Sequence, residues 1–234
     1  MGACHSRKPL MSTPFQAEAA RHYAEGPPRQ VPGFAGLHRM MMLLIAETVP
    51  DDAHLLVHGA GGGLEIKALA DAQPGWRFTG VDPSADMLKL ATDITADHAA
   101  RTALIEGYID AAPEGPFAAA TSILVFHFIP RDQRLETLRQ IRARLKPGAP
   151  FILAHISFPQ TEPERSRWIA RHVAFGQSGG TNPDTIEKAR HAIGTRLTIL
   201  APDEEEALLR EAGFTDITPF YAAFSFRGWV AYAG

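Results

Sequence analysis

A run of glycines lies between an apolar segment and a helix-forming segment, and it is the pattern with the clearest chemical use. Leu55, Leu56 and Val57 precede Gly59-Ala60-Gly61-Gly62-Gly63, and helical spacing of apolar residues begins at Leu64. Glycine lacks a Cβ, so its backbone can turn sharply and come close to a bound group. The helix that follows presents free N–H groups in its first turn. The pattern predicts a ligand-binding loop formed by Gly59, Ala60, Gly61 and Gly63.

An acidic residue ends the next apolar segment. Asp82 follows Gly63 by nineteen positions, and a carboxylate there can accept hydrogen bonds from both ribose hydroxyls of an adenosine-containing ligand. The dinucleotide pattern G-x-G-x-x-G is not met, because Leu64 occupies the position of its last glycine when the pattern starts at Gly59. The sequence therefore predicts an adenosine-ligand site with a G-x-G-x-G loop.

Alternating strands and helices are predicted to position these residues. Apolar segments indicate five strands, and helical patterns separate several of them: strands at 54–58, 77–81, 103–106, 118–126 and 151–156, and helices at 64–72, 84–96 and 131–145. This alternation favours an α/β fold with a doubly wound parallel sheet. Two further β-rich segments follow, at 215–221 and 224–232, so seven strands are indicated in all.

The chain is expected to contain one domain, at 12–234, after a flexible leader at 1–11. Helical patterns at 12–48 precede the first strand. A change of pattern at about 160–195 predicts a helical insertion over the sheet.

Composition narrows the class of partner. The formal net charge is −3 and no block of like charges is present, so no nucleic-acid partner is expected. Cys4 is the single cysteine, which fits a reducing cytoplasm. No apolar run approaches the roughly 18 residues of a membrane span, so no membrane partner is expected.

The methionines at 40–42 are interpreted as core packing, and no metal site is predicted. A small-molecule substrate and a bacterial, cytoplasmic protein are the expectation.

The glycine loop and Asp82 together resemble the cofactor motifs of class I S-adenosylmethionine-dependent methyltransferases. The tail after Ala212-Gly213-Phe214 and the segment Leu145-Lys146-Pro147-Gly148 are also similar to that family. The resemblance covers roughly residues 15–232. It implies a Rossmann-like fold: a doubly wound, mostly parallel seven-stranded sheet with helices on both faces and a C-terminal antiparallel hairpin. The cofactor that it implies is S-adenosylmethionine, with S-adenosylhomocysteine as product. The resemblance also suggests a homodimer and further cofactor contacts, namely Pro83, Met87, Tyr108, Ile109, Val125 and Phe126.

Some stretches look more specifically like carboxy-S-adenosylmethionine synthases, a branch of the same fold. Arg29-Gln30-Val31-Pro32-Gly33-Phe34 is similar to a motif of that branch, and Arg190 falls where the branch has an arginine for the extra carboxylate. An arginine fork binds a carboxylate through two hydrogen bonds.

Four positions depart from this resemblance. Phe34 replaces a tyrosine, Ile123 replaces an asparagine, and Tyr108 and Val57 stand where acids are usual. Because several polar contacts are altered, the sequence favours a divergent methyltransferase over a carboxylating enzyme.

Two histidines are candidate bases. His127 and His155 are predicted at the ends of the fourth and fifth strands, where ligands bind in open α/β sheets. The leading hypothesis is a small-molecule methyltransferase that acts by positioning, with a histidine base. A carboxy-S-adenosylmethionine synthase-like enzyme that uses Arg190 and a non-catalytic cofactor-binding module are the alternatives.

Overall fold

A seven-stranded sheet forms the centre of the protein. The computed structural model describes residues 26–180 and 182–234. The strands are β1 (His54–His58), β2 (Arg77–Asp82), β3 (Thr102–Glu106), β4 (Ala119–Ile123), β5 (Pro150–Ile156), β6 (Phe214–Ala223) and β7 (Phe226–Ala233). Their order across the sheet is β3-β2-β1-β4-β5-β7-β6.

The first five strands pair in parallel, and the last two are antiparallel. β1 lies between β2 and β4, with Leu56 opposite Thr79 on one side and Ala120 on the other. β4 and β5 are buried along their whole length, as expected for parallel strands covered on both faces. β7 runs antiparallel to β5, with His155 opposite Arg227. The carboxyl ends of β1, β2 and β4 therefore meet at one edge of the sheet.

Eight helices are described. They are α1 (Gly26–Gln30), α2 (Phe34–Ala46), α3 (Leu64–Ala72), α4 (Ala85–Ile94), α5 (Arg131–Ala143), α6 (Glu164–Ser178), α7 (Pro183–Thr195) and α8 (Pro202–Glu211). Short 3-10 turns occur at Ala96–Arg101, Ile109–Ala111 and Phe126–Phe128.

The two faces of the sheet bury separate apolar clusters. On one face, Leu37 and Met41 of α2 pack with Leu69 of α3 against the sheet. On the other, Leu138 of α5 and Leu209 of α8 pack against it. The helical spacing of these residues places them on the buried side of each helix. The structure confirms the predicted fold: a mostly parallel, seven-stranded sheet, helices on both faces and a C-terminal hairpin.

The fourth strand is shorter than predicted. The apolar run continues to Phe126, but β4 ends at Ile123 because Leu124 adopts a positive φ of 63° and turns the chain. Val125, Phe126 and His127 consequently lie in the turn after β4. Residues 12–25 of the predicted N-terminal helical region lie outside the described residues. The single-domain organisation stays a prediction. In the part of the chain that is described, no helix is both long and apolar enough to cross a membrane.

Candidate functional site

The glycine loop follows β1 and turns over the end of β2. Gly59, Gly61 and Gly63 all have positive φ angles, of 74°, 49° and 82°. The amides of Gly59 and Ala60 both donate to the carbonyl of Val81, at 2.8 and 2.9 Å. These bonds fix the start of the loop to the neighbouring strand.

Two of the glycines are also required by close packing. A Cβ on Gly59 would lie 2.2 Å from Cγ2 of Val125, and a Cβ on Gly63 would lie 2.9 Å from Cα of Ala91. Gly63 thus allows α3 and α4 to approach each other, and Gly59 brings the loop against the turn after β4. The predicted contact residue Val125 is therefore part of the loop's support.

Asp82 is hydrogen-bonded to the glycine loop. Its Oδ2 accepts from the amide of Gly61 at 2.9 Å, and its Oδ1 accepts from the amide of Ser84 at 2.9 Å. Burial raises the pKa of Asp82, and these two backbone hydrogen bonds oppose the shift. Each carboxylate oxygen keeps a free lone pair, so the group can still accept hydrogen bonds from a ligand.

The predicted adenine-side residues lie around Asp82. Ser84 begins α4 by accepting from the amide of Met87 at 3.3 Å, and Met87 is buried beneath this turn. The amide of Gly107 donates to the carbonyl of Asp82 at 3.0 Å, which brings the segment with exposed Tyr108 and buried Ile109 to the same edge. Pro83 is partly exposed between them. Phe126, in contrast, is fully buried in the cluster beneath α5.

A cleft opens between the glycine loop and α2. It is lined by Phe34, His38, Gly59, Ala60, Leu64, Glu65, Ile123 and Leu124. Sequence reasoning did not single out two of these residues, His38 and Glu65. Burial lowers the pKa of His38 to about 4 and raises that of Glu65 to about 8. An acid within an otherwise apolar helical face is the signal that could have drawn attention to Glu65.

The candidate bases His127 and His155 lie on the other face of the sheet. Their rings stack with centroids 6.2 Å apart, and His155 lies beside Trp229 and Glu205. Burial lowers the pKa of His127 to about 3, with a further contribution from Arg134. Burial also holds the pKa of His155 well below its usual value. Neither residue is among those that line the cleft, and a base role for either stays a prediction.

Arg190 lies on α7, away from the lining of the cleft. Its side chain is 54% exposed, and its Nε is 3.6 Å from Oε2 of Glu187. The structure therefore brings together the glycine loop, Asp82, the adenine-side residues and Val125. It does not bring His127, His155 or Arg190 to the same place.

Comparison with known proteins agrees with this arrangement. Residues 56–151, which include β1, the glycine loop and Asp82, match the family described as methyltransferase domain. Over this segment the chain is similar to methyltransferase domains, and its fold is that of class I S-adenosylmethionine-dependent methyltransferases. Its cofactor is S-adenosylmethionine.

Curated relatives match over nearly the whole chain. A carboxy-S-adenosyl-L-methionine synthase from Pseudomonas putida is 28% identical over 238 residues, which cover 96% of this chain and 95% of that one. The enzyme of the same name from Chromohalobacter salexigens is 26% identical, over 87% of this chain and 77% of that one.

Solved structures share the fold at lower identity. Human N-acetylserotonin methyltransferase, solved in complex with S-adenosylmethionine, has a TM-score of 0.59 at 14% identity; the match covers 94% of this chain and 57% of that one. An O-methyltransferase family protein from Burkholderia thailandensis has a TM-score of 0.64 at 12% identity, over 92% and 60% of the two chains. The chain thus spans less than two thirds of the length of these two structures.

The described residues fit the cofactor. The positive φ angles of the loop glycines allow the close backbone approach that a bound nucleoside needs. The carboxylate of Asp82 is held at the same edge by the loop itself. Phe34, Val57 and Ile123 are apolar where the resemblance implies polar side chains, so these three residues offer a cofactor only apolar contacts.

Proposed function

We propose that this methyltransferase transfers the methyl group of S-adenosylmethionine to a small molecule bound in the cleft between the glycine loop and α2. The hydrogen bond from Gly61 to Asp82, 2.9 Å long, carries the proposal. It joins the loop and the acid into one preorganised unit at the carboxyl edge of the sheet. In open α/β sheets, ligands bind at this edge.

The cofactor contacts follow from this unit. Asp82 accepts the ribose hydroxyls, and the loop of Gly59, Ala60, Gly61 and Gly63 approaches the rest of the nucleoside and its amino-acid part. Pro83, Met87, Tyr108 and Ile109 border the adenine. Val125 and Phe126 support the glycine loop from the protein interior. Val125 packs against Gly59, and Phe126 fills the core under the same turn.

The acceptor site is small and mostly apolar. Phe34, Leu64, Ile123 and Leu124 supply its apolar walls, and His38 and Glu65 supply its polar groups. S-adenosylmethionine supplies an electrophilic methyl group on a sulfonium. The contribution of the protein is to align the acceptor with that methyl group and to exclude water. In the proposed reaction His127 and His155 transfer no proton, because both are buried on the opposite face with lowered pKa values.

A second candidate function is a carboxy-S-adenosylmethionine synthase-like reaction. The full-length similarity to enzymes of that name favours it. Arg190 would then bind a carboxylate after release from Glu187. Phe34 and Ile123 argue against this reading, because both replace polar residues of that branch.

Calorimetric titration with S-adenosylhomocysteine tests the cofactor site. Wild type is expected to bind, and Asp82→Ala is expected to weaken binding roughly 10- to 100-fold, the value of one or two charge-assisted hydrogen bonds. Asp132→Asn, an exposed acid in the first turn of α5, is the matched control and should bind as wild type. Equal affinity of Asp82→Ala and wild type for S-adenosylhomocysteine would contradict the assignment of Asp82 to the cofactor site.

Product analysis separates the two reactions. Incubation with S-adenosylmethionine and a pool of small molecules that includes anionic carboxyl donors should yield S-adenosylhomocysteine and a methylated acceptor, detected by mass spectrometry. A cofactor product that is heavier by one carboxyl group, and that is lost in Arg190→Ala, would establish the second candidate instead.

A further inference from the structure

Glu65 is the buried acid of the cleft lining. It is the second residue of α3, and its side chain is 6% exposed. The other buried residues of this helix are apolar: Ile66, Leu69 and Ala70. The carboxyl group is therefore turned toward the protein interior with the apolar side of the helix.

The carboxyl group faces the cleft and lies close to the side chain of Thr121. Glu65 lines the cleft together with Gly59, Ala60 and His38. Among the described residues, Oε1 of Glu65 is buried and has no hydrogen-bond partner. Buried polar atoms are nearly always paired, so an unpaired one at a ligand cleft calls for an explanation.

No cation of the described chain balances this acid. The residues that line the cleft include no lysine or arginine. His38, presented by α2, is the other titratable residue of the lining, and burial keeps its imidazole neutral. β4 contributes Thr121, whose side chain opposes the upward pKa shift that burial imposes on Glu65, and no charged group contributes to that shift. The acid is therefore mostly protonated at neutral pH in the free protein.

We propose that Glu65 receives the ammonium group of a ligand bound in the cleft. A primary ammonium has three donors and no acceptor, which matches an unpaired carboxyl oxygen. When the ammonium binds, Glu65 loses its proton to solvent and pairs with it as a carboxylate. The proposal rests on the proposed cofactor site, since the ammonium belongs either to the amino-acid part of the cofactor or to an amine acceptor beside it.

Proton release on ligand binding tests directly whether Glu65 receives an ammonium group. S-adenosylhomocysteine carries the ammonium, whereas 5′-methylthioadenosine keeps the nucleoside and sulfur without the amino-acid part. Titrations at pH 7 in phosphate and in Tris, which differ in ionisation enthalpy, measure the protons released. Wild type is expected to release about one proton with S-adenosylhomocysteine and none with 5′-methylthioadenosine.

Glu65→Gln removes the titrating group and keeps its shape. The variant should release no proton and bind S-adenosylhomocysteine roughly tenfold more weakly, with unchanged affinity for 5′-methylthioadenosine. Glu136→Gln, an exposed acid on α5, should behave as wild type. The wild-type proton count does not depend on whether the variant folds.

The source of the ammonium is separated by a second titration. If S-adenosylhomocysteine releases no proton, ethanolamine and n-butylamine are titrated into the wild-type protein already loaded with it. Proton release there, absent in Glu65→Gln, assigns the ammonium to the acceptor. Tight S-adenosylhomocysteine binding without proton release in either titration overturns the Glu65 proposal alone. Failure of folded wild type to bind either nucleoside overturns the proposed function and the Glu65 proposal with it.

Discussion

Gly59 and Val125 are in contact so close that no side chain fits between them. A Cβ on Gly59 would lie 2.2 Å from Cγ2 of Val125 and 3.0 Å from its Cγ1. Gly59 also has a φ of 74°, in the left-handed region that favours glycine. The first glycine of the loop is therefore required twice, by its backbone conformation and by the turn after β4.

We expect Gly59→Ala to destabilise the protein by about 2–4 kcal/mol, because the steric overlap adds to the left-handed strain. Urea unfolding measures the difference in the free energy of unfolding between this variant and wild type. Gly148→Ala is a matched control, since Gly148 has a φ of 73° and an added Cβ there meets nothing within 4 Å. That control should lose only about 1 kcal/mol. Equal losses in the two variants would show that the contact with Val125 is not a constraint.

A buried ion pair joins the helices on the opposite face. Arg134 of α5 donates to Oε1 of Glu205 of α8, and both side chains are almost fully buried. Glu205→Gln leaves the guanidinium without its carboxylate, so we expect a loss of roughly 3–5 kcal/mol in the free energy of unfolding. Urea unfolding at pH 8, where Glu205 is mostly ionised, measures it.

The neighbouring acid supplies the control for this pair. Glu204 pairs with exposed Arg131, and its replacement by Gln should cost less than about 1 kcal/mol. Replacing both members of the buried pair, with Arg134→Met and Glu205→Leu, should recover only part of the loss, because the carbonyls of Ile129 and Thr198 also lose Arg134 as a donor. If Glu205→Gln were as stable as Glu204→Gln, the buried pair would not stabilise the packing of α5 on α8.

The sequence predicts the sheet well because each parallel strand is a short apolar run bounded by turns. The prediction fails at the end of β4, where Leu124, Val125 and Phe126 continue the apolar run beyond Ile123, the last residue of the strand. Apolar character cannot distinguish these residues, since both a strand and a buried turn require it. The positive φ of Leu124 is a tertiary effect that cannot be predicted from its residue type.

The glycine loop and Asp82 are predictable because their proximity follows from topology. Parallel neighbours place the residues after β1 and at the end of β2 at one edge, wherever the rest of the chain packs. The face of the sheet to which a side chain points is harder to predict. Ala154 and Ile156 share the apolar cluster that includes α2, whereas His155 between them points to α8.

Glu65 escapes prediction for a related reason. An acid in the first turn of a helix is usually exposed and favoured by the helix dipole, so its type gives no sign of burial. Its neighbour Thr121 is the β4 partner of Val57, the position where the resemblance implies an acid. A carboxyl group is therefore present in this neighbourhood, but it comes from α3 instead of β1.

The pH dependence of stability provides a test of Glu65 without any ligand. Burial raises its pKa from 4.5 to about 8, so the folded protein binds this proton more tightly than the unfolded chain does. The stabilisation is fully present below pH 4.5 and is lost as pH rises to about 8. Glu65→Gln cannot lose a proton, so its stability relative to wild type should increase between pH 5 and pH 9, by up to roughly 4 kcal/mol. Urea unfolding of wild type, Glu65→Gln and Glu136→Gln across this range measures the effect, with Glu136→Gln expected to follow wild type. Parallel curves for wild type and Glu65→Gln would mean that the Glu65 carboxyl group is already ionised and paired in the folded protein, since only an unpaired buried acid produces the divergence.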